Sequence, residues 1–387
     1  MPMKVLLLTP YSPLLQHDHA ANDIALPLVK ALAPFMDLHV YAPGQRNGQL
    51  EQWRADGVTY YAGSPVPKPT RLSILGSYPR GSRASWSRRS TKEALEIARD
   101  LKPDILHAEY WQTAEPLLRS AHPRTSITLH DLPCEVILKQ RGDVSRIRYW
   151  LAQLEDQKVR RAWKALVENI DALFVRSERD RRKILGPKGI VAVAPVGVDQ
   201  PAFGWTGDLP HVAAFGGAMW RLENEATAIY LANEVMPIVR ESVPDVELRI
   251  FGARPTAAVQ ELASRPGVTV LGEVEDYDDQ FRRAGVTLAP AMVDAGLLMK
   301  SLRAMAMGCP VVLNTASASP ITGLKEGVHA LVGDNPSELA NHVVAIMQDN
   351  MRARQLGRAA RELVHDQFSW QRTAVDHCSV FEHLLHV

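Results

Sequence analysis

Short apolar runs alternate with stretches of helical periodicity through the first half of the chain. Runs of this length, separated by amphipathic stretches, are typical of parallel strands joined by crossover helices. The predicted strands are Lys4–Leu8, Leu38–Tyr41, Asp104–His107 and Ser126–Leu129, with a helix near Asp23–Leu32. From about Val144 to Asn169, apolar residues at helical spacing are separated by charges, which predicts one long amphipathic helix or two in sequence.

The same alternation begins again after a stretch rich in Pro and Gly between Val193 and Pro210, where we predict the linker. The predicted strands there are His211–Phe215, Glu247–Phe251, Val268–Leu271, Val286–Ala289, Pro310–Leu313 and Ala330–Val332. The last helices are predicted at Ser337–Gln348 and Met351–Val364, followed by a terminal segment Thr373–Leu385. The chain is therefore predicted to be an α/β protein with two doubly wound parallel sheets facing a cleft.

Length and composition narrow the possible partners. At 387 residues the chain suits two domains of about 180 residues each. Lys and Arg number 44 against 43 Asp and Glu, so the chain lacks the basic excess of a nucleic-acid-binding protein, and no nucleic-acid partner is predicted. Cys134, Cys309 and Cys378 lie far apart and in no metal-ligand spacing, which favours free thiols in a reducing compartment.

The first residues lead directly into the strand Lys4–Leu8, an apolar run too short for a signal peptide, and no segment is long enough to span a membrane. We therefore predict a cytoplasmic protein, with peripheral contact at the inner face of the membrane left open. A run of arginines at Arg80, Arg83, Arg88 and Arg89 could meet an acidic acceptor or anionic lipid head groups. A solvated loop is the commoner explanation of such a run.

Residues 289–314 carry the most specific pattern, because a strand, a tight loop and a helix bearing Lys300 follow one another. This segment resembles the signature of glycosyltransferase family 4. The matching positions are Gly296, Lys300, Leu302, Ala304, Met305, Ala306, Gly308, Pro310, Val311 and Val312. Backbone donors at a helix start together with an ammonium group suit a diphosphate, whereas the alternative is that Lys300 is a solvated helix residue.

Further segments are similar to landmarks of the same family. They are Phe215–Met219, Pro195–Asp199, Leu271–Val274, Phe368–Trp370 and the sequence Leu129-His130-Asp131. The resemblance implies the twin-Rossmann GT-B fold, with an acceptor domain at 1–195, a nucleotide-sugar domain at 196–369, and a helix at 370–387 that crosses back to the first domain. It also implies that His130 lies against the donor sugar, although a histidine that closes a strand can also be a hydrogen-bonded structural residue, as we expect for His107.

The resemblance assigns candidate residues in three groups. His130 and Lys300 are predicted to be catalytic. Acceptor or cleft-loop contacts are predicted at His19, Ala20 and Asp131. Donor-binding residues are predicted at Gly216, Gly217, Arg221, Gly252, Val274, Asp294, Gly296, Leu297 and Arg303. We expect no metal and no cofactor beyond the nucleotide-sugar co-substrate, and we interpret His17-Asp18-His19 as a cleft loop, because two histidines without a further partner are a weak metal signal.

The chain also departs from the family pattern. A Glu usually begins and ends a nine-residue stretch of the signature, but the aligned residues here are Ala295 and Arg303. Arg303 cannot accept hydrogen bonds from ribose hydroxyls, and its guanidinium could instead bind a phosphate or another acid. Asp294 is a possible substitute for the first Glu, and His19-Ala20 replaces the family's Gly-Gly pair, which limits close approach of a phosphate.

The resemblance implies a retaining, metal-independent transfer from a nucleotide-diphosphate sugar, by default a UDP-sugar, to a hydroxyl of a saccharide, lipid-linked or small-molecule acceptor. A family member of this kind would act in polysaccharide or glycoconjugate biosynthesis. The alternative is a catalytically degenerate subunit that binds a partner transferase or a nucleotide sugar without turnover. The reason to consider it is that Ala295 and Arg303 stand where the family has its two glutamates. A sugar-nucleotide epimerase on the same fold is a third possibility that no residue specifically favours.

Overall fold

A computed structural model describes residues 2–12, 22–44, 51–68, 76, 78–132, 146–201, 204–208, 210–293 and 296–386. The chain divides into two compact units. Unit 1 comprises Met1–Gly197 and Trp370–Val387, and unit 2 comprises Val198–Ser369.

The described part of unit 1 contains an eight-stranded sheet in the order β3-β4-β2-β1-β5-β6-β7-β8. Its strands are β1 (Lys4–Leu8), β2 (Asp37–Pro43), β3 (Glu51–Ala55), β4 (Val58–Gly63), β5 (Ile105–Glu109), β6 (Thr125–Leu129), β7 (Ala172–Val175) and β8 (Ile190–Val193). All neighbouring strands are parallel except β3, which pairs antiparallel with β4. The hairpin of β3 and β4 was not predicted from the sequence.

Among the described residues of unit 1 before the linker, the helices are α1 (Asn22–Leu32), α2 (Arg80–Arg83), α3 (Arg88–Leu101), α4 (Ala114–Arg119), α5 (Arg146–Asn169) and α6 (Glu178–Lys183). The stretch predicted as one or two helices is thus a single helix, α5. The arginine run lies on helices rather than in the predicted loop, although Arg80, Arg88 and Arg89 are solvent-exposed as predicted. Arg83 ends α2 and pairs with the buried Glu115 carboxylate at 2.6 Å, and Arg88 and Arg89 open α3.

Unit 2 contains, in its described residues, a six-stranded parallel sheet in the order β11-β10-β9-β12-β13-β14. The strands are β9 (Val212–Gly216), β10 (Glu247–Phe251), β11 (Val268–Gly272), β12 (Val286–Leu288), β13 (Val311–Leu313) and β14 (Leu331–Val332). The helices are α7 (Leu222–Tyr230), α8 (Met236–Ser242), α9 (Ala257–Glu261), α10 (Tyr277–Arg282), α11 (Met299–Met307), α12 (Thr315–Ala318), α13 (Pro336–Gln348) and α14 (Asn350–Gln367). The last helix, α15 (Trp370–His386), packs against α1 in unit 1.

Each sheet is built around buried strands whose apolar side chains enter the core. In unit 1 Leu6 and Leu8 of β1 are completely buried, and in unit 2 Phe215 of β9 is. Strand order reverses between β1 and β5 in unit 1 and between β9 and β12 in unit 2. Because ligands of open parallel sheets bind at the carboxyl ends of the strands beside such a reversal, these two edges position the candidate sites.

The sequence predictions also concerned the helices and the cysteines. None of the helices in the described ranges is long and apolar enough to cross a membrane. Cys309 is buried and Cys378 is partly buried, and both are free thiols.

Candidate functional site

Lys300 lies in the first turn of α11, as the sequence predicted. Its Nζ donates a hydrogen bond to Asn224 Oδ1 at 2.7 Å and lies 4.3 Å from the centre of the Phe215 ring. Burial is the main cause that lowers the pKa of Lys300 to about 7, and the nearby Arg221 charge lowers it further. The ammonium is therefore close to half protonated near neutral pH, and its strongest contact is with a neutral amide rather than a carboxylate.

Arg221 immediately precedes α7, and its guanidinium contacts the Glu223 carboxylate. The carboxylate of Glu223 raises the pKa of Lys300 while the charge of Arg221 lowers it. Two cationic side chains thus approach each other at the edge where β9 ends. An anion bound there would interact favourably with both, which is the electrostatic condition for a phosphate site.

The glycines after β9 and β10 allow a close approach of two chain segments. Gly252 has a φ of +126°, and a Cβ atom built there would overlap the carbonyl oxygen of Gly217. The Gly217 amide donates to the Phe251 carbonyl at 3.0 Å, so it is already engaged within the fold. A Cβ on Gly217 would lie 2.8 Å from Asn224 Nδ2, the amide group that partners Lys300. These glycines therefore pack the site, and phosphate contact by the Gly216 and Gly217 backbone stays a prediction.

Arg303 lies on α11 and is paired with an acid. Its Nε donates to Asp278 Oδ1 on α10 at 2.7 Å, and its guanidinium lies 4.9 Å from the centre of the Tyr277 ring. Both charged side chains are about one-third exposed. The sequence allowed a phosphate or another acid as the partner of this guanidinium, and in the structure an acid, Asp278, lies there. A carboxylate is thus present beside position 303, contributed by the neighbouring helix.

The remaining predicted donor residues lie in loops or outside the described residues. Gly296 and Leu297 immediately precede α11, and Val274 lies in the loop between β11 and α10. Asp294 and Ala295 fall outside the described residues, as do His17, Asp18, His19 and Ala20 of the predicted cleft loop.

In unit 1, His130 follows β6 and belongs to a buried charged network. Its Nε2 lies 2.7 Å from Glu109 Oε2 and 3.0 Å from Arg176 Nη2. Burial, followed by the Arg176 charge, lowers the pKa of His130 to about 4. Burial alone would raise the pKa of the Glu109 carboxyl, but hydrogen bonds from His107 and His130 and the Arg176 charge hold it well below its ordinary value.

Tyr110 completes this network at the end of β5. Its ring stacks on the His130 imidazole, with centroids 3.8 Å apart and planes 13° apart. Its φ is +69°, which is unusual for a residue with a side chain. The Tyr110 hydroxyl is buried and has no hydrogen-bond partner among the described residues. Asp131, the other predicted residue here, is exposed at the carboxyl end of β6.

His107, Glu109 and His377 place three potential metal-ligating atoms within 4.8 Å of one another. His107 Nδ1 bonds Ser126 Oγ at 2.8 Å, and His377 Nδ1 bonds the Thr373 carbonyl at 2.7 Å. The Arg176 charge lies 3.4 Å from Glu109 and opposes any added cation. We therefore interpret this group as a hydrogen-bonded polar core, in agreement with the structural role expected for His107.

Sequence reasoning did not identify several residues of these networks as site residues: Asn224, Asp278, Glu109, Tyr110 and Arg176. Glu109 carried a usable signal, because a carboxylate that continues the buried run of Ile105–Glu109 requires a partner. Arg176 at the end of β7 carried the same signal. The partners themselves lie far apart along the chain and are joined only by the sheet.

Residues 210–349 match the family model described as glycosyl transferases group 1. The chain is 27% identical over 149 residues to the GDP-mannose-dependent monoacylated alpha-(1-6)-phosphatidylinositol monomannoside mannosyltransferase of Corynebacterium glutamicum. This match covers 36% of the chain and 39% of the length of that relative.

Solved structures resemble the whole chain. The sucrose-phosphate synthase of Thermosynechococcus elongatus has a TM-score of 0.71 at 19% identity, and the match covers 99% of both chains. The trehalose 6-phosphate synthase of Burkholderia multivorans has a TM-score of 0.67 at 12% identity, covering 100% of this chain and 98% of the other. Anabaena HepE, solved in complex with UDP and glucose, has a TM-score of 0.66 at 12% identity, covering 98% and 99%. Residues 210–349 are thus similar to glycosyl transferases group 1, and the whole chain has the GT-B fold of these solved structures.

Proposed function

We propose that this protein transfers a sugar from a nucleotide-diphosphate sugar to an acceptor hydroxyl, with retention of anomeric configuration and without a metal ion. The observation that carries the proposal is the pair of cationic groups at the end of β9. Lys300 is held there by the neutral Asn224 amide, and Arg221 is close enough to lower its pKa. A diphosphate would replace this repulsion by attraction to both groups.

The same pair accounts for the chemistry that we propose. Cleavage of the bond between sugar and phosphate leaves negative charge on the departing diphosphate. A preorganised ammonium stabilises developing charge strongly, and losing one such donor commonly costs about 3 to 4 kcal/mol of transition-state stabilisation. We propose that Lys300 has this role, that Arg221 supports it, and that the departing phosphate helps to deprotonate the acceptor.

The saccharide is proposed to meet unit 1 through His130. This residue lies at the carboxyl edge of its sheet, and its pKa of about 4 keeps the imidazole neutral at physiological pH. A neutral imidazole suits hydrogen bonding to sugar hydroxyls.

The nucleotide base is proposed to be uracil, with guanine as the alternative. HepE was solved with UDP and glucose, whereas the Corynebacterium relative uses GDP-mannose. The acceptor is proposed to be a saccharide, lipid-linked or small-molecule hydroxyl. The cell compartment proposed from the sequence is the cytoplasm, with peripheral membrane contact open.

A second candidate is a subunit that binds a nucleotide sugar without turnover. The observation that favours it is Arg303, which occupies a position where the family usually has an acid and which is engaged by Asp278. Binding would then persist through Lys300 and Arg221, whereas turnover would be absent.

The experiment is a panel of UDP- and GDP-sugars tested with the purified protein by thermal shift and by released nucleotide. A ligand that binds the folded state raises its melting temperature, so binding is detected without an acceptor. We expect stabilisation by one donor with slow hydrolysis, both lost in Lys300→Met. Lys325→Met is the matched control, because Lys325 is an exposed lysine of the same unit.

The outcomes separate the candidates. Stabilisation with hydrolysis supports the transferase, and acceptor-dependent product with the donor's anomeric configuration supports retention. Stabilisation without hydrolysis, even with acceptors present, supports the binding subunit. Equal behaviour of Lys300→Met and Lys325→Met would remove Lys300 from the site, and activity abolished by a chelator and restored by a divalent cation would overturn metal independence.

A further inference from the structure

A small cavity lies at the carboxyl ends of β1 and β5 in unit 1, beside the reversal of strand order. Apolar side chains of β1 and α1 form most of its lining, and Thr9, Glu109 and Tyr110 contribute the polar groups. A cavity at this edge, with a few converging polar groups, is the usual setting of a ligand site in a parallel sheet.

The distance between Glu109 and His130 identifies the protonated nitrogen of the imidazole. A separation of 2.7 Å between Glu109 Oε2 and His130 Nε2 requires a proton between them. Glu109 does not supply it, because the hydrogen bond with His107 and the Arg176 charge, both independent of this contact, favour the ionised carboxyl. The proton therefore belongs to His130 Nε2, and in the neutral ring Nδ1 is left as the hydrogen-bond acceptor.

Because Arg176 also contacts His130 Nε2, the proton stays on this nitrogen only while Glu109 is present. Arg176 Nη2 lies 3.0 Å from His130 Nε2 and 3.4 Å from Glu109 Oε2, so with Nε2 protonated the two nitrogens do not bond each other and both donate toward Glu109 Oε2. Its Nη1 donates to the Ala194 carbonyl at 2.9 Å. Without a carboxylate at position 109, the Arg176 N–H would meet Nε2 as a donor and favour the opposite tautomer. With the carboxylate present, Arg176 keeps it ionised and disfavours the imidazolium form.

Tyr110, whose ring stacks on the His130 imidazole, adds a neutral donor. Burial, followed by the Glu109 charge, raises the pKa of Tyr110 well above its ordinary value, so its hydroxyl keeps its proton. That hydroxyl is buried without a partner among the described residues, which costs free energy unless a ligand supplies one. The positive φ of Tyr110 is a second local cost, and backbone outliers of this kind cluster at functional sites.

We propose that Glu109 and Arg176 are positioning residues that hold His130 as the neutral imidazole protonated on Nε2, so that His130 Nδ1 and the Tyr110 hydroxyl recognise an uncharged sugar hydroxyl. The proposal rests on the proposed function, in which His130 meets the saccharide. A hydroxyl both donates and accepts, so it complements a neutral acceptor and a neutral donor. A carboxylate cannot donate to Nδ1 and is repelled by Glu109, so uronic acids are disfavoured.

The first test reads the tautomer directly and is independent of turnover. Nitrogen-15 spectra of the full-length protein near pH 7 report which imidazole nitrogen carries the proton, with His130→Gln used for assignment. We expect the proton on Nε2 in the wild type and a shift toward Nδ1 in Glu109→Gln. Glu115→Gln is the matched control, because Glu115 is an equally buried carboxylate of unit 1 that pairs with Arg83 and Arg119.

A proton on Nδ1, or an imidazolium ring, in the wild type would overturn the proposal whether or not the protein transfers sugar. An unchanged tautomer in Glu109→Gln would remove Glu109 as the positioning residue. If Glu109→Gln does not fold while Glu115→Gln does, the wild-type spectrum still decides the tautomer.

The second test compares UDP-glucose with UDP-glucuronate, and GDP-mannose with GDP-mannuronate, which differ by a carboxylate in place of a hydroxymethyl group. We expect at least tenfold lower kcat/KM for the uronate of the pair that is used. Tyr110→Phe should lower kcat/KM for the neutral sugar about fivefold and leave the Kd of UDP or GDP unchanged, since one lost hydrogen bond to an uncharged group is worth about 1 kcal/mol. Equal kcat/KM for neutral and uronate donors, or an unchanged kcat/KM in Tyr110→Phe, would contradict the hydroxyl site. If His130 has the expected tautomer but no donor is turned over, the proposed sugar transfer is rejected and the assignment of the tautomer stands.

Discussion

Lys300 Nζ donates a 2.7 Å hydrogen bond to the side-chain oxygen of Asn224, a residue 76 positions earlier in the chain. The amide places the ammonium without neutralising it, and Asn224 Nδ2 in turn donates to the Ala218 carbonyl at 3.0 Å. A carboxylate in the same place would hold the ammonium equally well but would compete with an anionic ligand. The neutral partner therefore leaves the charge of the ammonium available to an anion.

Asn224→Asp tests this relationship with almost no change of shape. The introduced carboxylate should raise the pKa of Lys300 and stabilise the ligand-free protein, because it forms an ion pair. It should weaken nucleotide-sugar binding by at least tenfold, about 1.4 kcal/mol, because the anion now meets a like charge. Isothermal titration measures the affinity, and Asn341→Asp, at an exposed position of α13, is the control. Unchanged affinity in Asn224→Asp would place the anion elsewhere.

Nucleotide-sugar binding should depend on pH through Lys300. With a pKa of about 7, the ammonium loses its proton as pH rises, so binding of an anion takes up a proton above pH 7. The Kd should rise by up to about tenfold per pH unit above that value, because the protonated fraction falls by that factor. Titrations in buffers of different ionisation enthalpy count the protons taken up. Uptake that persists in Lys300→Met would assign the effect to another group.

The free energy of unfolding should also depend on pH through Lys300, but it should rise with pH whereas nucleotide-sugar binding weakens. The pKa of Lys300 is about 7 in the folded protein, below the ordinary lysine value of 10.5, so the unfolded chain binds more protons between these values. Below pH 7 the folded state bears the whole free-energy cost of burying the charged ammonium, and this cost declines as pH rises toward 10.5. Compared with Lys300→Met, the wild type should gain up to about 1.4 kcal/mol of unfolding free energy per pH unit in this window. Denaturant unfolding at several pH values measures it, and parallel pH profiles would contradict the assignment.

The pair Arg303 and Asp278 should be energetically coupled. Arg303→Glu restores the acid usual in the family but places it beside the Asp278 carboxylate. We expect this variant to lose about 0.5 to 1 kcal/mol of unfolding free energy, as befits partly exposed charges, and to recover it when combined with Asp278→Asn. A double-mutant cycle measures the coupling. Additive effects of the two changes would mean that the 2.7 Å contact contributes no interaction energy.

Alanine should destabilise the protein more at Gly252 than at Gly327. At Gly252 the substitution combines a φ of +126° with overlap of the Gly217 carbonyl, so we expect a loss of at least about 3 kcal/mol or failure to fold. Gly327→Ala is the matched control, because Gly327 also has a positive φ, +75°, but open space around its Cβ position. It should cost only about 1 kcal/mol. Thermal and denaturant unfolding compare the two, and similar losses would show that conformation, not overlap, dominates.

Most of the regular structure was predictable from local pattern. The predicted strand Glu247–Phe251 has the observed bounds, and the predicted helix Ser337–Gln348 differs from the observed Pro336–Gln348 by one residue. Periodicity works here because buried strands and amphipathic helices each impose a repeat on consecutive residues. The hairpin Glu51–Gly63 was missed because β3 carries no apolar run, and the β-rich residues of β4, Val58–Gly63, were overlooked.

The sequence by itself determined the fold class, the position of Lys300 in the first turn of a helix, and the family signature, because each depends on neighbouring residues. Tertiary structure alone decided which groups meet: Asn224 with Lys300, Asp278 with Arg303, and Glu109 and Arg176 with His130. Partners 21 to 76 residues apart are brought together by the order of strands in each sheet. The charge state of a buried side chain depends on such partners, so the chemistry of His130 and Lys300 follows from the folded chain rather than from its local pattern.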